Sequence, residues 1–288
     1  MNGFLLIDKP KGITSFDVIR EVRRSSGVKK VGHAGTLDPL ATGLLIVAIG
    51  EATKLLEYFI GCGKEYEVVG KFGYRSDSFD ADGEVEEVDT GMKVDKKQIE
   101  DVVKADFMGD IVQIPPKYSA LKIGGKKAYE LAREGIEVEM KGRNVKISAY
   151  DLLDFSWPEV SFRVKCSTGT YIRSLINDLG EKLGCGGYVK ELRRTIVGNF
   201  GIDRSCKLDD LSKNIEQEVV SLEEMVGDFP QLRLSDEDYE GLKDGKVLLD
   251  KKIDHEGAVM AFHKDKLVGV LVMASEGKGI KYKKMIVR

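Results

Sequence analysis

The sequence predicts an α+β chain that ends in a small, separate β-rich module. Three observations carry this reading. Strand-like apolar runs and amphipathic helical patterns succeed one another through the first 230 residues, with no internal repeat. Hydrophobic residues make up 42% of the 288, enough for a sizeable core, and 32% charged residues suit a globular surface. From about residue 232 the texture changes to short alternating strands such as GAVMAFH and LVGVLVMA, separated by glycines. The chain therefore divides into residues 1–230 and 231–288.

GFLLIDKP reads as a short buried strand closed by Pro10 and Gly12. Thr14 and Ser15 offer an N-cap for a helix that turns Phe16, Ile19 and Val22 inward and Arg20, Arg23 and Arg24 outward. The loop GHAGTLDPLATGLL follows, and then LLIVAIG as a buried strand. Residues 52–60 suit a short helix, and KEYEVVGKFGY alternates as a strand. The acidic stretch SDSFDADGEVEEVD holds a turn signal in Asp82-Gly83, and residues 95–106 suit a helix. Pro115-Pro116 opens a basic segment, PPKYSALKIGGKKAYELAREG, with a joint at Gly124-Gly125 and a helix after it. FRVKCSTG is a strand and TYIRSLINDLGEKLG a helix. A further apolar–acidic helix spans 208–226, and a short helix precedes the C-terminal strands.

No apolar run is long enough to cross a bilayer, and MNGFLLIDKPKG has neither a basic n-region nor a small-residue cleavage site. Cys62, Cys166, Cys185 and Cys206 are scattered without a C-x-x-C pair, which argues against a disulfide framework or a zinc ribbon. The expected location is the cytoplasm. Net charge is −3, but its distribution is uneven. Residues 9–30 carry about +5, and 117–147 and 255–288 about +4 each, against about −8 in each of 77–110 and 208–254. Such segregation can leave a basic stripe that steers a polyanion onto an acidic protein.

In GHAGTLDPLATGLL three glycines surround one acid, Asp38, which precedes a proline. Asp-Pro is a turn initiator, so Asp38 either starts a turn or is presented by it. Gly32, Gly35 and Gly43 permit positive φ or close backbone approach. No phosphate-loop signature is present. His33 has no neighbouring ligands for a metal and reads as a loop residue or a substrate contact. Arg173 flanks the apolar stripe Ile172, Leu175, Ile176, Leu179, Leu183 near the start of its helix, where the dipole disfavours a cation. Its i+4 and i−4 neighbours are Asn177 and Gly169, so it is either a solvated surface arginine or serves a carboxylate from elsewhere in the chain, for which Asp38 is the candidate. Tyr66, Tyr171 and Leu192 taken singly are a strand tyrosine, a tyrosine beside Arg173 and a core leucine.

Together these stretches resemble the TruB family of bacterial tRNA pseudouridine synthases, over nearly the whole chain. LLIDKPKGITSFDVI resembles the first family motif, with Lys9, and GHAGTLDPLATGLL resembles the active-site motif, whose aspartate is Asp38. KEYE carries the family tyrosine at Tyr66, STGTYIRSLINDLG carries Tyr171 and Arg173, and LRRT matches a pocket segment with Leu192. The segment from about 115 to 146 resembles the family's RNA-gripping insertion, and the tail resembles a PUA domain. The resemblance implies a mixed, largely antiparallel sheet with flanking helices and a central cleft. It implies isomerisation of uridine 55 in the tRNA T loop, without metal or cofactor, by a monomer with no obligatory protein partner. Asp38, Tyr66 and Arg173 are then catalytic, and His33, Tyr171, Leu192 and Lys9 contact substrate. Three routes stay open for Asp38: attack on the base, attack on the sugar, or removal of the C2′ proton. The glycines would give clearance to a flipped uridine. Two other readings are an RNA-binding or tRNA-folding protein, and a guide-dependent synthase acting on another RNA.

Overall fold

A computed structural model describes residues 1–288 apart from 89, 90, 92, 120, 137, 138, 250, 252, 254–256, 275–278, 287 and 288, so His255 lies outside the described residues. The strands are β1 (Gly3–Lys9), β2 (Val31–His33), β3 (Thr42–Ile49), β4 (Lys64–Phe72), β5 (Tyr74–Ser76), β6 (Val85–Glu87), β7 (Gly109–Gln113), β8 (Lys122–Ile123) and β9 (Lys126–Lys127). They continue with β10 (Arg143–Ser156), β11 (Glu159–Cys166), β12 (Gly187–Val197), β13 (Phe200–Gly201), β14 (Cys206–Lys207), β15 (Gln231–Arg233), β16 (Val259–His263), β17 (Lys266–Met273) and β18 (Ile280–Met285). The α-helices are α1 (Ser15–Ser26), α2 (Leu56–Ile60), α3 (Lys96–Asp106), α4 (Ala128–Arg133), α5 (Ile172–Lys182), α6 (Leu211–Glu218), α7 (Leu222–Met225) and α8 (Asp236–Lys243).

Ten strands form one sheet in the order β14-β1-β3-β12-β4-β11-β10-β7, with β13 beside β12 and β2 beside β3. Only the β1–β14 and β3–β12 pairs in it are parallel, so the sheet is mixed and largely antiparallel. β15, β16, β17 and β18 make a separate four-stranded sheet. Along β1 and β3 alternate residues enter two different cores. Leu5, Ile7, Leu45 and Val47 pack with Val18, Ile19, Leu175 and Ile176 of α1 and α5. Phe4, Leu6, Leu44 and Ile46 pack with Phe59 and with Met260, Phe262 and Val270 of the small sheet. Cover on both faces is why these strands read as unbroken apolar runs rather than alternating ones.

α1 is capped by Thr14, which exchanges hydrogen bonds with Asp17, and stops at Gly27 in the left-handed region, φ 69°. Phe16, expected inward, is instead 57% exposed. The buried i, i+3, i+4, i+7 set is Ser15, Val18, Ile19 and Val22, and Ser15 holds the first place because its hydroxyl bonds Leu37. The helix expected over 208–226 is broken. Asn214 leaves helical geometry within α6, and Val220 exchanges backbone hydrogen bonds with Phe4 before α7 begins. β10 and β12 went unrecognised in the sequence, since charges interrupt their alternation. Among the described residues no helix is long and apolar enough to cross a membrane.

Candidate active site

One rung of the large sheet sets the site. Lys9, Gly43, Arg194, Tyr66 and Val164 stand opposite one another on β1, β3, β12, β4 and β11. Paired residues share a face of the pleat, so Lys9, Arg194 and Tyr66 rise on the same side. The loop between β2 and β3 lies over them and carries Asp38.

That loop is held by side chains from outside it. Lys9 Nζ donates to the carbonyls of Pro10 at 2.9 Å, Ile13 at 2.7 Å and Pro39 at 3.4 Å. Ser15 Oγ accepts from Leu37 N at 2.8 Å and donates to Leu37 O at 3.0 Å. Arg194 Nε and Nη2 donate to Leu44 O at 2.7 Å and Gly35 O at 3.1 Å, gripping both ends of the loop. Ala41 N donates to Asp38 O at 3.1 Å, so Asp38-Pro39 is a turn that also presents a carboxylate. Gly43 and Gly32 do not serve as clearance for a flipped base, whereas Gly35, φ +99°, lines the inner cavity and a β-carbon there would meet only Arg194 Nη1, at 3.6 Å. A β-carbon on Gly43, φ +101°, would stand 2.3 Å from Arg194 O, and one on Gly32 would meet Leu56 at 2.8 Å. Gly32 and Gly43 allow the protein's own close packing.

Arg173 Nε lies 3.0 Å from Asp38 Oδ2. Its guanidinium also reaches Asp80 Oδ2 at 3.1 Å, Ser78 O at 3.0 Å and Tyr118 O at 2.8 Å. The group is 5% exposed and filled with acceptors, as a buried cation must be. Asp80, 3% exposed, accepts in turn from Ser78 Oγ at 2.6 Å and Asp82 N at 3.1 Å. The start of α5 is fixed by Gln113, whose amide accepts from Tyr171 N at 2.8 Å and donates to Tyr171 O at 2.9 Å. Burial pushes the Asp38 carboxyl above the usual carboxylate range, and Asp80 and Asp82 push it the same way. Arg173, then Lys9, oppose them and favour the ionised form.

Two cavities meet at this ion pair. The inner one, about 250 Å³, is lined by Asp38, Arg173, Tyr66, Tyr171 and Leu192. The outer one, about 1030 Å³, holds His33 with Phe16, Asp82 and Tyr129, and shares Asp38 and Arg173 with the first. Of the residues expected from the sequence, five thus gather in the inner cavity and His33 stands on the outer side. Lys9, expected against substrate, is 0% exposed and lines neither cavity. Its ammonium is committed to two carbonyls of the β1–α1 turn and to Pro39 O of the Asp38 loop, and burial lowers its pKa to about 8. Its role here is to tie that turn to the Asp38 loop.

Tyr66 is 9% exposed, and burial raises the pKa of its hydroxyl. Burial lowers that of His33, and the nearby Arg194 charge does the same. Both side chains are therefore neutral near pH 7. Asp80 and Gln113 carry no signal in the sequence that marks them as site residues, and neither the N-cap candidate Ser15 nor Arg194 of LRRT shows there which backbone it holds. Asp80 sat in a stretch read as an acidic turn, and no local signal separates it from Asp77 or Asp82. Among the described residues no cluster of three or more His, Cys, Asp or Glu is placed to hold a metal ion.

The profile of the TruB family pseudouridylate synthase N-terminal domain matches residues 23–172. This chain belongs to that family. The profile of the tRNA pseudouridylate synthase B C-terminal domain matches residues 173–231 of the TruB-family chain. The junction falls at Arg173, yet β12 from the second part lies between β3 and β4 from the first, so both parts build one sheet. Similar relatives include the tRNA pseudouridine synthase B of Clostridium tetani, 39% identical over 96% of this chain and 97% of the relative. That of Aquifex aeolicus is 40% identical over 94% and 95%. Among solved structures, the Cbf5-Nop10-Gar1 complex contains a chain that superposes with a TM-score of 0.76 at 25% identity, covering 99% of this chain and 85% of that one. The TruB-family chain is accordingly an enzyme, a pseudouridine synthase of the isomerase class.

Proposed function

We propose that this enzyme isomerises uridine 55 to pseudouridine in the T loop of tRNA, with the base extruded into the inner cavity and Asp38 as the reacting group. One observation carries the reading: a carboxylate paired with a buried guanidinium at the junction of two cavities. The relatives' printed names supply tRNA as the substrate class. An inner cavity of about 250 Å³ suits one nucleoside better than a large cofactor.

The reaction breaks N1–C1′, turns the uracil and joins C5 to C1′; C5 loses a proton and N1 gains one. Attack on base or sugar and removal of the C2′ proton all start from ionised Asp38, so Arg173 supports each of them. Tyr66 stacks on the base, and its neutral hydroxyl offers a hydrogen bond. Tyr171 and Leu192 line the pocket. His33 occupies the space the uridine leaves, on the outer side, and extrusion itself costs a few kcal/mol. The basic segment 115–146 grips phosphates, and residues 231–288 act as a PUA-like RNA-binding domain. The enzyme works in the cytoplasm as a monomer, with no cofactor, metal or obligatory protein partner.

A guide-dependent reading draws on the likeness to the Cbf5-Nop10-Gar1 complex. A pure RNA-binding protein would have no use for the Asp38–Arg173 pair. The test incubates the purified chain alone, in chelator, with an unmodified tRNA transcript and maps pseudouridine by sequencing. Product at position 55 is expected, with none from Asp38→Asn although tRNA binding is retained. Product only with added guide RNA and proteins would favour the second reading. A normal rate from Asp38→Asn would falsify the role of Asp38.

A further inference from the structure

Phe16 is an exposed aromatic whose placement the packing of α1 does not explain. The i, i+3, i+4 pattern of α1 is complete without it, and its ring is 57% exposed beside the site. A single exposed aromatic is ordinary on a protein surface. This one lines the outer cavity together with Asp38, His33 and Tyr129. The guanidinium carbons of Arg20 and Arg23 lie 5.9 and 5.8 Å from its ring centroid. Arg20 is paired with Asp17 at its own helix end, while Arg23, among the described residues, donates a long bond, 3.4 Å, to Val31 O. An apolar ring flanked by cations is the composition that receives a nucleobase on its π-face and the adjoining phosphates on the charges.

The ring is also rigidly referred to the reacting group. Ser15, the preceding residue, exchanges two hydrogen bonds with the backbone of Leu37, the residue before Asp38. A base resting on Phe16 is therefore registered against Asp38 through two adjacent peptide units. We infer that Phe16 is a stacking platform for an unpaired base of the substrate RNA, next to the extruded uridine, and that it positions the loop over Asp38. The inference rests on the RNA reading given above. It assigns Phe16 a positioning role, since it does not touch the reacting atoms.

The test compares Phe16→Ala, Phe16→Leu, Phe16→Tyr and Phe16→Trp in single-turnover pseudouridine formation and in tRNA binding over a range of salt concentrations. Phe16→Ala should weaken tRNA binding by about tenfold, within the range lost when one base–aromatic stack is removed. The maximal rate at saturating RNA should change by less than about threefold, because the Asp38–Arg173 pair is intact. The slope of log affinity against log salt should be unchanged, since a stack releases no counterions. Tyr and Trp should restore affinity and Leu should not. The chain holds one tryptophan, so Phe16→Trp adds a second emitter, expected to be quenched on tRNA binding. Full activity and affinity in Phe16→Ala, full rescue by Leu, or an unquenched Trp would each overturn the inference. If the unaltered chain makes no pseudouridine, the function reading fails instead, so the two failures are distinguishable. Thermal melts of the variants should match the parent, because Phe16 is outside the core.

Discussion

The Asp38 loop and the basic 115–146 segment use the same residue types for opposite purposes. Beneath the loop, Lys9 of β1 is fully buried and spends its ammonium on Pro39 O of the loop and on two carbonyls of the β1–α1 turn. In the segment, Lys126 pairs with Glu134 at the surface, both about half exposed. Gly43 has positive φ and leaves no room for a β-carbon, whereas Gly124 and Gly125 have positive φ with nothing within 4 Å. The loop is over-determined and holds one carboxylate in one place. The described part of the segment holds a hairpin of two-residue strands and a six-residue helix, anchored by Ala128 and Leu131 and carrying Lys126 at the surface. A reacting group needs the first kind of support, and a surface that adapts to a polyanion needs the second.

Breaking the buried side of this contrast should have the largest effects. Arg173→Met removes the charge that holds Asp38 ionised and oriented, so the rate should fall by about 10²-fold or more. It should also shift the acid limb of the pH–rate profile to higher pH, because Arg173 is the main group pulling the Asp38 carboxyl down. Asp80→Asn removes a carboxylate that pushes it up, so its acid limb should move to lower pH while the rate falls by about tenfold. Shifts of the same sign in both variants would reject this account of the triad. Single-turnover rates across pH read both.

Gly43→Ala should destabilise the fold by about 3 kcal/mol or more, since its β-carbon collides with a neighbouring strand's backbone. Gly125→Ala, with open space around it, should cost only about 1–2 kcal/mol for its positive φ. Denaturant melts compare the two, and equal losses would remove the distinction. Lys9→Met leaves three carbonyls without their donor, at a cost of about 2 kcal/mol. The folded pKa of Lys9 is about 8 against an ordinary 10.5, so between these values the unfolded chain holds more protons. Its contribution therefore makes stability rise with pH through that window, and Lys9→Met should flatten the rise. The smallest effect belongs to the exposed side: Lys126→Gln with Lys127→Gln should weaken tRNA binding a few-fold and reduce the salt slope by about one to two.

The sequence by itself determined the parts whose causes are local. The strands β1 and β3 were legible from apolar runs, α5 from its stripe, and a helix over residues 95–106 from its pattern, while the Asp95 cap is seen only in the structure. Arg173 stood out because a cation near a helix start, with no acid at i±4, asks for a partner elsewhere. Only the tertiary structure decided who the partners are. Arg194 reaches Gly35 across 159 positions and Arg173 reaches Ser78 across 95, contacts that exist only once β12 is inserted in register between β3 and β4. Phe16 read as core because Ser15 carries no apolar surface, and its buried hydroxyl bonds acquire meaning only when Leu37 lies against it. Periodicity reports the face a residue prefers. Register between distant strands, which no local pattern encodes, sets what stands opposite it.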